Sequence, residues 1–484
     1  MVSTGEGENR GGNGAEKRRV ILPSASSEQK ALGLAYPGDP TAQRELLTWA
    51  GGLDEEEFIR LTQPVVLMEM MSLRGRSANQ AISSTEVTSF AINIPNLPGR
   101  NHRLVTLPTA CKYAACTICD YCSKGKREIT GRDIDRADID RAIEIVRKDN
   151  DFYLEDGEYH RQHPEDNVVL IDITAGGSIF NSREVPDEIR QYLWKKIAEY
   201  GKEQKAKGRY VAFVTETRVD DLSETTLKEM FAALEGGVDE VEVGYGLERI
   251  DPLGQKIMMN KMMPPDWEER VKLLKNPEIN RGIDVVGAAH VMLTVPGETD
   301  AEGVEYASQS IRELIDKGLC DTVVLMATNK KAATVPGVIE SELPSIFTLA
   351  ETLKRLRELG ERAGNPDKYL REVLVRGFAG IAEEIAPEKV KYMKAGCNAC
   401  RPVEELLKDW RPEDYSKLIE LISQTNCQDK ADWEAEILQE PQYSRQQRIA
   451  LILDYLAKTY WKMSLKDAVE AFGDINLHPQ FKNE

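Results

Sequence analysis

No stretch of this sequence stays apolar over the roughly 20 residues that a helix needs to cross a bilayer, so no membrane partner is expected. The first residues, MVSTGEGENRGGNGAEKRR, hold no apolar core of the kind a secretory signal requires, and the expected location is a reducing cytoplasm. Positive charge is also short. Lys and Arg number 63 against 81 Asp and Glu, a formal net charge of -18. A surface of that sign repels a phosphate backbone and argues against broad electrostatic binding of nucleic acid. The short basic patches at Lys124, Lys126 and Arg127, and at Lys330 and Lys331, read as solvated loops.

With 484 residues, 41% of them apolar and 30% charged, the chain is ordinary in composition and about two to four times the usual domain length. It can bury one large core with smaller attachments, or two cores. Residues 1 to 30, rich in Gly, Glu, Asn and Arg, read as a disordered tail. Residues 31 to 102 form an N-terminal extension with a helical pattern in QRELLTWAGGLDEEEFIRLT.

Then short β-branched runs begin: HRLVTL (102 to 107), VVLIDIT (168 to 174), YVAFVTE (210 to 216), DEVEVGYG (239 to 246), DVVGAAHVMLTV (284 to 295) and DTVVLMAT (321 to 328). Amphipathic stretches separate them, at 184 to 205, 266 to 275, 301 to 317 and 345 to 364. In DLSETTLKEMFAALEGG, Ser223 or Asp221 can cap the helix and Gly236 can end it, with Leu227, Met230, Phe231 and Leu234 on one face. Doubly buried strands separated by helices indicate parallel βαβ units. Periodicity leaves an open doubly wound sheet and an incomplete barrel as alternatives. After residue 405, VEELLKDW, YSKLIELISQ and RIALILDYLAKTYW read as helices.

The chemistry concentrates in PTACKYAACTICDYC (108 to 122), which holds four of the eight cysteines. In a reducing compartment, clustered cysteines point to metal or redox chemistry before disulfides. Cys111, Cys116 and Cys119, spaced C-x4-C-x2-C, can hold three irons of a [4Fe-4S] cluster and leave the fourth open. A closed four-cysteine site that adds Cys122, either zinc or an electron-transfer cluster, stays an equal alternative on the cysteines alone. Cys397 and Cys400 in AGCNACRP suggest a second site for an auxiliary iron-sulfur cluster or zinc, with Cys427 or Cys122 as a third ligand. Cys320 reads as a buried apolar residue.

Five segments in order, LPTACKYAACTICDY, ITAGGSIFN, VTETRVD, VGYGLERID and LTVPGET, resemble the radical S-adenosylmethionine superfamily over residues 103 to about 405. They are most similar to the branch containing the elongator catalytic subunit and the archaeosine-synthesis enzymes. The resemblance implies an α/β fold: a partial (β/α)6 TIM-like barrel over 103 to 390, with an N-terminal extension and a helical C-terminal region over 391 to 484. It implies that Cys111, Cys116 and Cys119 ligate the cluster, with Ile118 as the apolar residue before the third. Gly176, Gly177 and Ser178 would receive the methionyl amine, Glu216 the ribose, Arg218 the methionyl carboxylate, and Glu248 cofactor or substrate. Val295 to Thr299 would shape the loop near adenine, and Asn329 would face substrate. His290, alone in an apolar run, reads as a core residue.

The implied activity is reductive cleavage of S-adenosylmethionine to a 5′-deoxyadenosyl radical that takes hydrogen from a substrate. The electron would come from an external flavodoxin- or ferredoxin-type donor. A small metabolite, natural-product intermediate or modified nucleoside is favoured as substrate over nucleic acid. The alternatives are a tRNA-modifying enzyme of the archaeosine type and a non-enzymatic four-cysteine interaction or electron-transfer protein. The sequence departs from the family pattern in three places. Four residues rather than three separate the first two cysteines, Ser178 stands where an acidic residue is usual, and Cys122 has no assigned role. No acetyltransferase-like or corrinoid-binding stretch is read, which sets the expectation apart from the elongator subunit.

Overall fold

The computed structural model describes residues 40–77, 86–93, 100–113, 116, 130–261, 263–328, 334–339, 343–376, 397–408 and 410–472. All six β-branched runs form strands: β2 (Asn101–Thr106), β3 (Val168–Thr174), β4 (Tyr210–Thr217), β5 (Glu240–Glu248), β6 (Asp284–Met292) and β7 (Thr322–Met326). Two further strands raise the count from the expected six to eight. β1 (Thr88–Asn93) pairs antiparallel with β2, and β8 (Val373–Arg376) pairs parallel with β7. Both lie at the edges of the sheet; β8 has four residues, too few for a period of two to stand out, and β1 falls in the stretch read as an N-terminal extension.

Among the described residues, the helices of eight or more residues are α1 (Pro40–Gly52), α2 (Glu55–Ser77), α3 (Arg136–Asp151), α4 (Asp187–Ala206), α5 (Glu224–Leu234), α6 (Asp300–Asp316), α7 (Ile346–Arg362), α8 (Arg401–Lys408), α9 (Tyr415–Gln424), α10 (Gln428–Ile437), α11 (Arg445–Trp461) and α12 (Leu465–Phe472). Of the two caps the sequence offers for α5, Ser223 is used. Its side chain accepts from Thr226 N, and the Thr226 hydroxyl in turn accepts from Ser223 N.

Strand order along the sheet is the chain order, β1 to β8, with β2 through β8 parallel. A doubly wound sheet reverses its order at a switch point, whereas a barrel adds strands in sequence. The chain is therefore an α/β protein built on a curled half-barrel sheet.

Alternation along the strands sorts the side chains. Val169, Ile171, Ile173, Val211, Phe213, Val241, Val243, Val285, Val291, Val323 and Leu325 belong to the main core. The intervening positions, including Asp172, Glu216, Gly244, Glu248 and His290, lie on the opposite face. His290 thus alternates with helix-facing Ala289 and Val291 instead of joining the core, because its position in the strand has the other parity.

A second core joins the two ends of the described chain. Leu46, Phe58 and Val66 of α1 and α2 pack with Ile449, Ile452 and Leu456 of α11, and with Leu465 of α12. Gln447 Nε2 donates to Leu47 O at 2.9 Å across this junction. Under it lies a buried ion network. Arg445 bonds Glu298 Oε1 at 2.5 Å and Asp251 Oδ2 at 2.6 Å, and Arg249 bonds the other Glu298 oxygen.

Candidate functional site

The carboxyl ends of the parallel strands bring the sequence motifs together, as they do in barrel folds generally. Leu107 N donates to Thr174 O at 2.9 Å, so the chain leaving β2 stays beside the end of β3. Thr109 and Cys111, where the cysteine loop begins, then lie directly over the turn Gly176–Gly177. Gly176 N donates to Thr109 Oγ1 at 2.8 Å, and a Cβ at position 176 would stand 2.2 Å from Thr109 O. A Cβ at position 177 would stand 2.5 Å from Cys111 Sγ. Only glycine allows this approach.

Glu184 clamps the same corner. One carboxylate oxygen accepts from Lys112 N at 2.8 Å, the other from Ser178 N at 2.9 Å. Burial pushes its carboxyl up to about 7, against those two donors. The Ser178 hydroxyl is bonded to Thr217 Oγ1 at 2.8 Å, which fastens the turn to β4.

Arg218 follows β4 and is almost fully buried. Its guanidinium carbon lies 3.7 Å from the centre of the Tyr113 ring, and its Nη2 bonds Asp220 Oδ2 at 2.8 Å. Burial would lower its pKa, but Asp220, Cys116 and Cys111 outweigh that and raise it. Tyr113 in turn donates its hydroxyl hydrogen to Asn260 O at 2.6 Å.

β5 ends at Glu248, a non-glycine residue at φ 60°, a left-handed conformation of the strained kind found at binding sites. Glu248 Oε1 accepts from Lys261 Nζ at 2.9 Å, and among the described residues its buried Oε2 has no hydrogen-bond partner. Lys261 is buried too, which would lower its pKa, but Glu248 and Cys116 together raise it. Two buried cations, Arg218 and Lys261, therefore flank the cysteine loop.

On the concave face, Glu216 stays accessible to solvent yet enclosed enough for desolvation to raise its carboxyl pKa, with His290 acting in the opposite sense. Gly244 separates the two. A Cβ there would meet both Glu216 Cγ and His290 Nε2 at 3.2 Å.

Cys119, Ile118, Cys122 and Asn329 lie outside the described residues, as do Lys124, Lys126, Arg127, Lys330 and Lys331. Within the Val295 to Thr299 turn, Glu298 faces Arg249 and Arg445, and Thr299 caps α6. Cys320 is half-buried against the main core, and burial raises its thiol to about 12. Lys261, Asn260, Tyr113 and Glu184 were not singled out from sequence. Lys261, Asn260 and Tyr113 sit in loops with no periodicity, and Glu184, read as the start of an amphipathic helix, lies in the turn before Asp187, where that helix begins.

Away from this site, Cys397 and Cys400 come together with Cys427 and Asp429, a group that could hold a metal ion. Of the two third ligands that the sequence offers, Cys427 is the one found beside the pair. Asp429 reads in sequence as one of many charges on a solvated helix.

No family model matches the chain. An uncharacterised protein from Methanocaldococcus jannaschii is 20% identical over 272 residues, which is 55% of this chain and 67% of that protein. Among solved structures, the chain is similar to the radical S-adenosylmethionine methyltransferase TsrM from Kitasatospora setae, solved with tryptophan substrate and an aza analogue of S-adenosylmethionine. The TM-score is 0.27 and the identity 14%, over 53% of this chain and 38% of that one. The chain thus spans well under half the length of that structure, a likeness too loose to carry an argument.

Proposed function

We propose that this protein is a radical S-adenosylmethionine enzyme acting on a small-molecule substrate. The observation that carries the reading is the convergence of Cys111 and Cys116 with the Gly176–Gly177 turn, Arg218 and the Glu248–Lys261 pair at adjacent strand ends. The residues present fit the cofactors. The turn is a cradle that any Cβ would fill, Glu248 offers an unpartnered buried oxygen, and the thiols are flanked by cations.

Cys111, Cys116 and Cys119 would hold a [4Fe-4S] cluster that would bind S-adenosylmethionine. When bound and reduced by a flavodoxin- or ferredoxin-type donor, the pair supplies a 5′-deoxyadenosyl radical that takes hydrogen from substrate. The protein's own part is to bind and orient. The carbonyls of the glycine turn can accept from an ammonium group. Arg218, already shared with Asp220, has N–H groups left for a carboxylate. Glu248 Oε2 can accept from a ribose hydroxyl, and Arg218 and Lys261 offset the negative charge of the thiolates. Glu216 and His290 line the face where a substrate would lie, with Gly244 leaving space between them. The net charge of -18 favours a small molecule over tRNA.

The test is anaerobic reconstitution followed by reduction with S-adenosylmethionine present. The enzyme should release 5′-deoxyadenosine, and Cys116→Ala should release none. Protein with a full cluster that yields no 5′-deoxyadenosine with any of several reductants would overturn the reading.

A further inference from the structure

The second cysteine group lies on elements that the sheet does not need. Cys397 and Cys400 sit on the turn that opens α8, and Cys427 and Asp429 on the first turn of α10. Cys400 Sγ lies 3.5 Å from Cys397 Sγ, 3.4 Å from Cys427 Sγ and 4.0 Å from Asp429 Oδ2. All four ligand atoms lie within 4.8 Å of one another.

That spacing identifies what fits between them. A tetrahedral zinc ion with bonds of about 2.3 Å to sulfur sets its thiolates about 3.8 Å apart. An auxiliary four-iron cluster would put each thiolate on a separate iron and spread the sulfurs far more widely. A disulfide would need one pair at about 2.0 Å, and none is that close. We propose that Cys397, Cys400, Cys427 and Asp429 form a closed, mononuclear zinc site, distinct from the cysteine loop at the strand ends and independent of the radical reading.

Local structure agrees. Cys427 stands at the N-cap of α10, where Ser, Thr, Asp or Asn is usual, and its side chain makes no capping bond. Asp429 turns back toward the cysteines, and its Oδ2 accepts from Cys397 N at 2.9 Å. Cys400 N donates to Cys397 O at 2.9 Å, and Val403 N and Glu404 N donate to Cys400 O at 3.1 Å, which holds the first two thiols on a tight turn. Three thiolates and a carboxylate leave a divalent site with negative charge, and the amino ends of α8 and α10 face it.

Four protein ligands leave no open position, so the site is structural. Its job follows from what the two helices touch. Cys400, Val403 and Leu407 belong to the main core. On α10, Trp433 Nε1 donates to Thr348 Oγ1 at 3.1 Å, and its ring packs 5.7 Å from that of Phe347, both on α7. The ion pins two short helices together against the flank of the half-barrel.

The decisive protein is the triple variant Cys111→Ser, Cys116→Ser and Cys119→Ser, purified in air and analysed for metal. It should hold about one zinc per chain, as should the wild type and the Cys320→Ser control. Cys400→Ser and Cys427→Ser should hold none and melt at lower temperature. Replacing zinc with cobalt(II) in the triple variant should give the intense visible bands of a tetrahedral site with thiolate charge transfer. Asp429→Asn, which preserves size and fold, should change that spectrum and weaken zinc at least about tenfold against a chelator. Iron with sulfide in the triple variant, no metal in any preparation, or an unchanged cobalt spectrum in Asp429→Asn would each overturn the proposal.

Discussion

Arg218 lies with its guanidinium carbon 3.7 Å from the centre of the Tyr113 ring, and Tyr113 follows Cys111 by two residues. The arginine therefore does two things: it supports the loop from beneath and presents positive charge to the thiols.

Lysine can supply the charge but not the planar stack or the fork. Arg218→Lys should keep full iron content after reconstitution yet release 5′-deoxyadenosine roughly tenfold more slowly or worse, the scale of a desolvated cation–π contact with its hydrogen bonds. Equal rates in wild type and variant would remove Arg218 from the site.

Position 177 tests the contact between turn and loop. A methyl group there would stand 2.5 Å from Cys111 Sγ, whereas one at Gly52 meets nothing within 4 Å. Gly177→Ala should lose iron during reconstitution while its melting temperature stays within a few degrees of wild type. Gly52→Ala should load iron normally. Iron analysis and thermal denaturation on the same samples separate the two effects.

Glu69 carries a pH dependence. It is buried in α2, neither carboxylate oxygen has a hydrogen-bond partner among the described residues, and burial, then Asp454, raises its pKa well above 4.5. A carboxyl whose folded pKa is raised stabilises fully below its unfolded pKa, and that contribution is lost as pH climbs through the folded value. The wild type should therefore lose stability as pH rises above 4.5, and Glu69→Gln should lose less. In thermal melts the variant should gain on the wild type with increasing pH, the difference closing below pH 4.5. Parallel curves would reject the assignment.

The ion network beneath α11 makes a prediction of a different kind. Removing one partner of a buried pair leaves an uncompensated charge, at a cost of about 3 to 5 kcal/mol. Arg445→Met should destabilise by that amount in urea titration. Adding Glu298→Gln should recover part of it, because the residual charge is then gone. Strict additivity would mean that Glu298 and Arg445 act separately.

The strands of the half-barrel were legible because parallel strands buried on both faces leave continuous β-branched runs, and VVLIDIT and YVAFVTE are such runs. β8, only VLVR, offers too few residues for any pattern, and β1, TSFAIN, flanks its apolar residues with Thr, Ser and Asn. The cysteines and glycines were legible because their chemistry narrows their use. Lys261 was not, since a lysine in a loop looks like solvent-facing charge until Glu248 is seen beside it. Asp429 was hidden for the same reason. Its role depends on three sulfurs, two of them about thirty residues earlier in the chain.

The bond between Gln447 and Leu47 joins residues 400 positions apart. At about 5 to 20 residues per second, a ribosome needs roughly 20 to 80 seconds to make the stretch between them. Leu253, Ile257 and Met258 can cover part of α2 earlier, but the faces of α1 and α2 that meet Ile449, Ile452 and Leu456 wait until α11 emerges. The second core is thus completed late in synthesis, after every strand of the half-barrel has been made.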